Sequence, residues 1–346
     1  MKYKFLVGSY GLAENEAIHL LEWDESSKQI REIAGTKGIE APSYHTYDAE
    51  RKMCYAISET NEGLIASYQV REGIVETSRR STGDKGPCHV TRDSTGNFVI
   101  VANYGGGSLS LHPLEANGSI LEYSDRVSFV NRDLDKASHP HICYPLGESG
   151  VYLVTDLGKD KLYLFRLDDS SKKLRLLREM KVTVNSGPRH VAYHSAKSIL
   201  YVVNEFSSTV TVFRFDQEAI ELRIIQDINA VSHQTAKRNY SADIHLTPDG
   251  KWLYVSNRGE NVITSFQVMT DGQLVRKKDT SVHGQWPRNF VITPDGKYVL
   301  VANEHSNNIT VFSICESGEL CFEGVSFSIY KPTCLCMVDP FTPRGR

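Results

Sequence analysis

One short motif recurs seven times along this chain, and that periodicity constrains the fold more than any other feature. The anchor is a proline or small residue just before a short apolar run: Pro42, Pro87, Pro140, Pro188, Ser241, Pro287 and Pro332. Successive anchors lie 45, 53, 48, 53, 46 and 45 residues apart, and the two ends of the chain together supply a further 56. Six full intervals and one divided between the termini make seven units. Each unit reads the same way. A strand follows the anchor, then a turn such as PDG (248–250, 294–296) or DSTG (93–96). A β-rich run such as YVVN, YVSN or VLVAN comes next, then a polar loop and a third run of the type VTVFRF or ITVFSI. Remainders such as LRLLREMKVTV supply a fourth, outer strand.

Alternating and β-branched runs punctuated by Gly, Asn, Asp and Pro indicate antiparallel sheet, and no long amphipathic helix stands out. Seven four-stranded units at this period predict an all-β, seven-bladed β-propeller spanning 1–346 as a single unit. The C-terminal run 331–339 is expected to pair with the N-terminal strand 3–10, closing the ring and removing the open edges that a solenoid would have to cap.

Composition excludes several function classes. A formal net charge of −3 leaves no electrostatic footprint for nucleic acid. The basic stretch TAKRN (235–239) reads as a solvated loop. No apolar run is long enough for a signal peptide core or a membrane span, so no membrane partner is expected. Seven cysteines, scattered and without a CxxC, read as small buried hydrophobes in a reducing compartment, which places the protein in the cytoplasm.

In a propeller the first strand of each blade lines the central channel and the second returns beside it. Counting from the anchor, position +1 holds Ser43, Cys88, His141, Arg189, Ala242, Arg288 and Thr333. Position +17 holds Glu59, Tyr104, Glu205, Arg258 and Glu304, with Asp156 taken as equivalent after a one-residue-shorter turn. These positions meet at one mouth of the channel, joined there by several of His89, His139, His141 and His190. Such a cluster suits a small-molecule pocket. Arginine forks bind phosphate or carboxylate, and His with Glu can move protons. Hairpin-end Asn, Asp and Glu also cap loop backbone in propellers, and Arg–Glu pairs can be purely structural. HPH (139–141) could offer two metal ligands, but no third ligand lies at a recognisable spacing. NYGGGS (103–108) has no helix after it to present to a phosphate, and no GxSxG elbow is present.

The segments GPRHVAYH…LYVVNE, ADIHLTPDGKWLYVSNR and PRNFVITPDGKYVLVAN closely resemble the propeller-type bacterial 6-phosphogluconolactonases, whose superfamily also includes the fungal carboxy-cis,cis-muconate cyclases. The likeness covers essentially the whole chain. It implies a carboxylic ester hydrolase that opens a small-molecule phosphosugar lactone without metal or other cofactor, acting as a monomer or weak homodimer. Carried over motif by motif, the catalytic set is His139, Arg189, Glu205 and Arg258, with His141, His190, Arg288, Asp243 and Glu304 contacting substrate. His139 is the expected base, with His141 two residues away as its rival. Glu205 would tune a partner or assist the leaving group. Either Arg189 or Arg258 would stabilise the oxyanion, and the other, or Arg288, would hold the phosphate. Three other readings use the same residues differently: a lactonizing cycloisomerase acting on a dicarboxylate, a metal-dependent lactonase, or a non-enzymatic propeller that binds proteins through its loops.

Overall fold

The computed structural model describes residues 1–130, 136–147, 150–232 and 238–338. Most of the basic stretch 235–239 falls outside them. Seven antiparallel four-stranded sheets are arranged in a ring, each with its strands in chain order except where the termini meet. The innermost strands are His45–Asp48, Pro87–Arg92, Pro140–Pro145, Pro188–His194, Tyr240–Leu246, Pro287–Ile292 and Pro332–Met337. Each touches the next around the ring, and Pro332–Met337 touches His45–Asp48, so the circle closes. Closure occurs within a sheet: Lys2–Ser9 pairs antiparallel with Pro332–Met337, setting Val7 opposite Leu335. The blade built from both termini is called the first, and the others follow in chain order. The only helical element among the described residues is a single 3-10 turn, Ser195–Lys197.

Local chemistry explains the repeated hairpins. In TPDG turns the threonine hydroxyl bonds the aspartate and also accepts the N–H that opens the second strand. The pairs are Thr247 with Asp249 and Trp252, and Thr293 with Asp295 and Tyr298. The glycine that follows sits at φ 68° and 71° in the two turns, a region that costs most other residues energy.

The apolar core is divided into seven clusters, one in each interface between neighbouring blades. The cluster joining the first and seventh blades, with Phe5, Trp23, Leu300 and Val311, is built like the other six. At about 1.5–3 kcal/mol for each large side chain taken out of water, every interface contributes comparably, and none is a weak seam.

Candidate active site

A recurring backbone irregularity aims the site. In six blades the register between first and second strands slips by one residue immediately after the anchor. Such a bulge inserts one extra residue and re-aims the side chains beside it. In the third to seventh blades position 0 pairs with +16, and in four of these +16 is asparagine: Pro87 with Asn103, Pro188 with Asn204, Ser241 with Asn257, Pro287 with Asn303. Those asparagines are buried and tie second strand to third, as Asn204 Nδ2 does to Thr209 and Thr211 at 2.9 Å. The asparagine is therefore structural, and the residue after it emerges at the mouth.

This register corrects one sequence assignment. Asp156 pairs with Pro140, so it occupies the asparagine position, and buried Leu157 is the true +17 residue of that blade. The Asp156 carboxylate accepts from Ser138 Oγ and from the backbone N–H groups of His139, Gly158 and Lys159. It caps a loop and does not face the mouth. The same register reveals a missed residue. Ser9 pairs with Pro332, so Tyr10 is the +17 residue of the first blade. Counting residues through the termini would not have found it, because 17 positions on from Pro332 falls at Tyr3; the strand pairing does.

At the mouth Glu205 is shared by two arginines. Arg189 Nε lies 2.9 Å from Glu205 Oε2, and Arg258 Nη2 lies 2.8 Å from the same oxygen. Both guanidinium groups are anchored from behind. Arg189 Nη1 donates to the Ala242 carbonyl at 2.6 Å, and Arg258 donates to the carbonyls of Tyr240 and Ser241 at 3.3 Å. Arg258 also lies 5.9 Å from the Tyr240 ring centre and 5.5 Å from that of Trp286. Burial, followed by the charges of Arg189 and Arg288, outweighs Glu205 and lowers the Arg258 pKa to about 10, so it remains a cation at neutral pH. For Glu205, burial pushes the pKa up, but Arg258 and Arg189 outweigh it and hold the carboxylate ionised.

Arg288 stands apart from this pair. Its Nη2 is 3.9 Å from Glu59 Oε2, its Nη1 is 3.9 Å from Glu304 Oε2, and its guanidinium lies 5.1 Å from the Tyr10 ring centre. Glu59 in turn accepts from Tyr10 Oη at 2.9 Å and from the Ser43 hydroxyl. Trp286, unmarked by the sequence reading, holds a left-handed φ of 64° where the fifth blade has Gly187 at 65°. A tryptophan there is strained backbone, and its ring stacks on His305 at 4.5 Å beside Arg258.

The histidines separate by environment. His139 is half-buried; its Nδ1 lies 2.9 Å from the Tyr104 carbonyl and its ring stacks on Tyr104 at 4.3 Å. A carbonyl can only accept, so Nδ1 carries a proton, and in the neutral tautomer Nε2 is the acceptor. Tyr104 in turn feels the charges of Glu205 and Arg189, which places the stack beside the ion cluster. His141 is buried with Nδ1 unpartnered, and burial drives its pKa well below the usual value. Of the two, His139 is the less buried. His141, Arg189, His190 and Arg288 surround a cavity of about 10 Å³ beneath the mouth, on the scale of one water molecule.

Asp243 is not brought to this mouth, and His190 is turned away from it. Both are +2 residues, and alternation along the strand sends their side chains toward the channel axis below. Asp243 Oδ1 accepts from His190 Nδ1 at 2.7 Å, and Oδ2 pairs with His245 Nε2 at 2.9 Å and accepts from Asn289 Nδ2 at 2.5 Å. Asn289 Oδ1 accepts from the Leu335 N–H, so one buried carboxylate ties together the inner strands of four blades. Burial and the Arg189 charge lower the His190 pKa to about 4, so its ring is neutral.

Beyond this belt, a cavity of about 800 Å³ opens at the other end of the channel, lined by the later halves of the inner strands and by turns such as Pro248–Gly250. Among the described residues that line it there is no lysine or arginine, whereas Asp243 and Asp249 are present beside five histidines. Glu16, His19 and Glu32 are the one group with metal-ligand spacing among the described residues, with Glu16 just before the first blade's third strand, His19 on that strand and Glu32 on the outer strand.

Fold and mouth together define a seven-bladed propeller with a charged small-molecule site at one end of its channel. The model of the seven-bladed β-propeller lactonase family matches residues 4–337, and the chain belongs to that family. It is 29% identical to the 6-phosphogluconolactonase of Bacillus subtilis, across 84% of this chain and 85% of that one. It is 30% identical to the 6-phosphogluconolactonase of Formosa agariphila, across 80% and 82%. The solved periplasmic gluconolactonase of Pseudomonas aeruginosa superposes with a TM-score of 0.90 at 26% identity, covering 98% of this chain and 99% of that one.

Proposed function

We propose that this protein is a carboxylic ester hydrolase that opens 6-phosphoglucono-1,5-lactone to 6-phosphogluconate, a step of the pentose phosphate pathway. The observation that carries the reading is the Arg189–Glu205–Arg258 cluster, two fixed cations on one carboxylate, at the mouth where His139, in its neutral tautomer, presents Nε2 as acceptor. Relatives named for this reaction support the choice of substrate.

Hydrolysis needs a deprotonating base for water and a positive site for the tetrahedral oxyanion. His139 Nε2 takes a proton from the attacking water. The carbonyl oxygen gains negative charge against the guanidinium of Arg189 or Arg258, and the other guanidinium holds the phosphate. Collapse breaks the ring ester bond, and the proton returns from His139 to the departing hydroxyl. The Glu205 charge keeps both guanidinium groups oriented while neutralising only one. Each tenfold in rate is about 1.4 kcal/mol, and one well-placed oxyanion donor contributes roughly 3 kcal/mol, so this sparse site suffices for a labile lactone. No step calls for a metal. A cytosolic setting is in keeping with seven scattered cysteines that form no CxxC pattern. No helix among the described residues is long and apolar enough to cross a membrane.

The test is acid release from freshly made 6-phosphogluconolactone above the spontaneous rate, with EDTA present and with Arg189→Ala in parallel. Chelator-insensitive acceleration that disappears in the variant is the expected result. Folded protein that gives no acceleration would defeat the reading, and a muconate-type lactone would be tried next.

A further inference from the structure

The two corners of the mouth differ in charge. Arg189 and Arg258 share one carboxylate, so their corner is net positive. Arg288 faces two, Glu59 and Glu304, so its corner is net negative. A phosphate is drawn to the first corner and repelled from the second, which argues against Arg288 as the phosphate clamp.

The second corner has unmet hydrogen-bonding capacity of a particular kind. At 3.9 Å, neither Arg288–carboxylate contact is a hydrogen bond. Glu304 is 8% exposed, and its Oε2 is buried without a hydrogen-bond partner. Leaving such an oxygen unpaired is costly, so a group that fits between it and Arg288 is favoured. That group must accept from the guanidinium and donate to the carboxylate. A hydroxyl does both. Distances of about 2.9 Å to nitrogen and 2.7 Å to oxygen fit a 3.9 Å gap with a near right angle at the hydroxyl oxygen. A phosphate oxygen only accepts, and an ammonium only donates. Glu59 differs: its Oε2, at the same distance from Arg288, already accepts from Tyr10 and Ser43, so this residue adds its charge to the corner and not an unpaired oxygen.

We propose that Glu59, Arg288 and Glu304 form a polyol subsite that takes neighbouring hydroxyl groups of the substrate, while the anionic end of the molecule lies at Arg189 and Arg258. The identity of the sugar rests on the lactonase reading; the subsite's preference for hydroxyls rests on charge and geometry alone. The substrate is thereby oriented with its hydroxyl-bearing face on one half of the mouth and its phosphate on the other.

Calorimetric titration with glucitol and with 6-phosphogluconate tests this without turnover. Glu304→Gln should weaken both ligands by the same factor, about tenfold, the scale of one charge-assisted hydrogen bond, and Glu59→Gln should weaken both by less. Arg258→Ala should weaken 6-phosphogluconate by at least as much and leave glucitol unchanged. Circular dichroism checks each fold, and Glu304→Asp, which keeps the charge, should recover part of the loss. Tighter 6-phosphogluconate binding in Glu304→Gln would identify Arg288 as an anion site and overturn the proposal. So would glutamine variants that change neither ligand, or wild-type protein that binds neither. Lactone hydrolysis is followed in parallel. Protein that shows the binding pattern but no hydrolysis would defeat the lactonase reading and leave the subsite standing.

Discussion

The two ends of the channel are built from the same seven strands, yet only one is equipped for an anion. The mouth where the strands begin carries three arginines and His139, above a cavity of about 10 Å³ that Arg189 and Arg288 help to line. The far end offers about 800 Å³ but no lysine or arginine. Between them Asp243 engages His190, His245 and Asn289 in a belt across the channel. The difference teaches that volume is a poor guide to chemistry here. An open end is unavoidable in a ring of tilted blades, whereas unlike charges held a few ångströms apart against burial have to be specified residue by residue.

The sharpest way to break this comparison is to remove one residue from each end. Arg258→Ala should lower kcat/KM for the phosphorylated lactone by about 10²–10³, the usual effect of losing one oxyanion or phosphate donor. His245→Ala, at the far end, should stay within about twofold of wild type, since it lies outside any step in the mechanism. Steady-state kinetics on both would reverse the assignment of the two ends if the losses were exchanged.

A smaller effect separates the two candidate bases. His139→Gln should reduce kcat by about 10²-fold with KM little altered, because proton transfer is made only in the transition state. His141→Gln should do much less. The opposite order would move the base into the buried layer.

The belt should report itself in stability. Asp243 is held well below the ordinary carboxylate range, with burial opposing and His245 and His190 prevailing. A depressed carboxylate contributes stability above its unfolded pKa, about 3.9, and loses it on acidification. For His245 burial lowers the pKa, but Asp243 outweighs it and the net shift is upward. A raised histidine contributes stability below its unfolded pKa, about 6.5, and loses it as pH rises through the folded value. Asp243→Asn should therefore cost about 3 kcal/mol between those two values, and less on either side. Denaturant titrations across pH would show this window. A uniform loss at every pH would mean that the belt is held by packing and not by charge. The smallest effect is expected at Asp156→Ala, where a loop cap is lost for about 1–2 kcal/mol with kcat/KM unchanged. A large loss of activity there would return Asp156 to the mouth.

Most of the fold could be read from local chemistry. The TPDG signature sets a turn through its own side-chain bonds, the β-branched runs set strands, and a fixed period sets the count of blades. Arg189, Glu205 and Arg258 were legible because their positions recur relative to the anchor. Count along the chain is a weaker guide than strand register: Asp156 stands at +16 and not at a shortened +17, and Tyr10 is hidden because its blade is divided between the termini. The place of Asp243, expected to contact substrate, is not legible because the sequence of the ADIH segment does not disclose the bulge that fixes which way a +2 side chain turns.

The sequence by itself determined what is local and repetitive: seven units, their turns, and the positions from which side chains reach the channel. Only the tertiary structure decided which charges meet. Glu205 joins arginines from its own blade and the next, Arg288 lies between Glu59 and Glu304 from two different blades, and Asp243 binds across three. Those pairings depend on distances of a few ångströms between residues far apart in the chain. They are set by ring closure and by the bulge in each inner strand, neither of which any short stretch of sequence encodes alone.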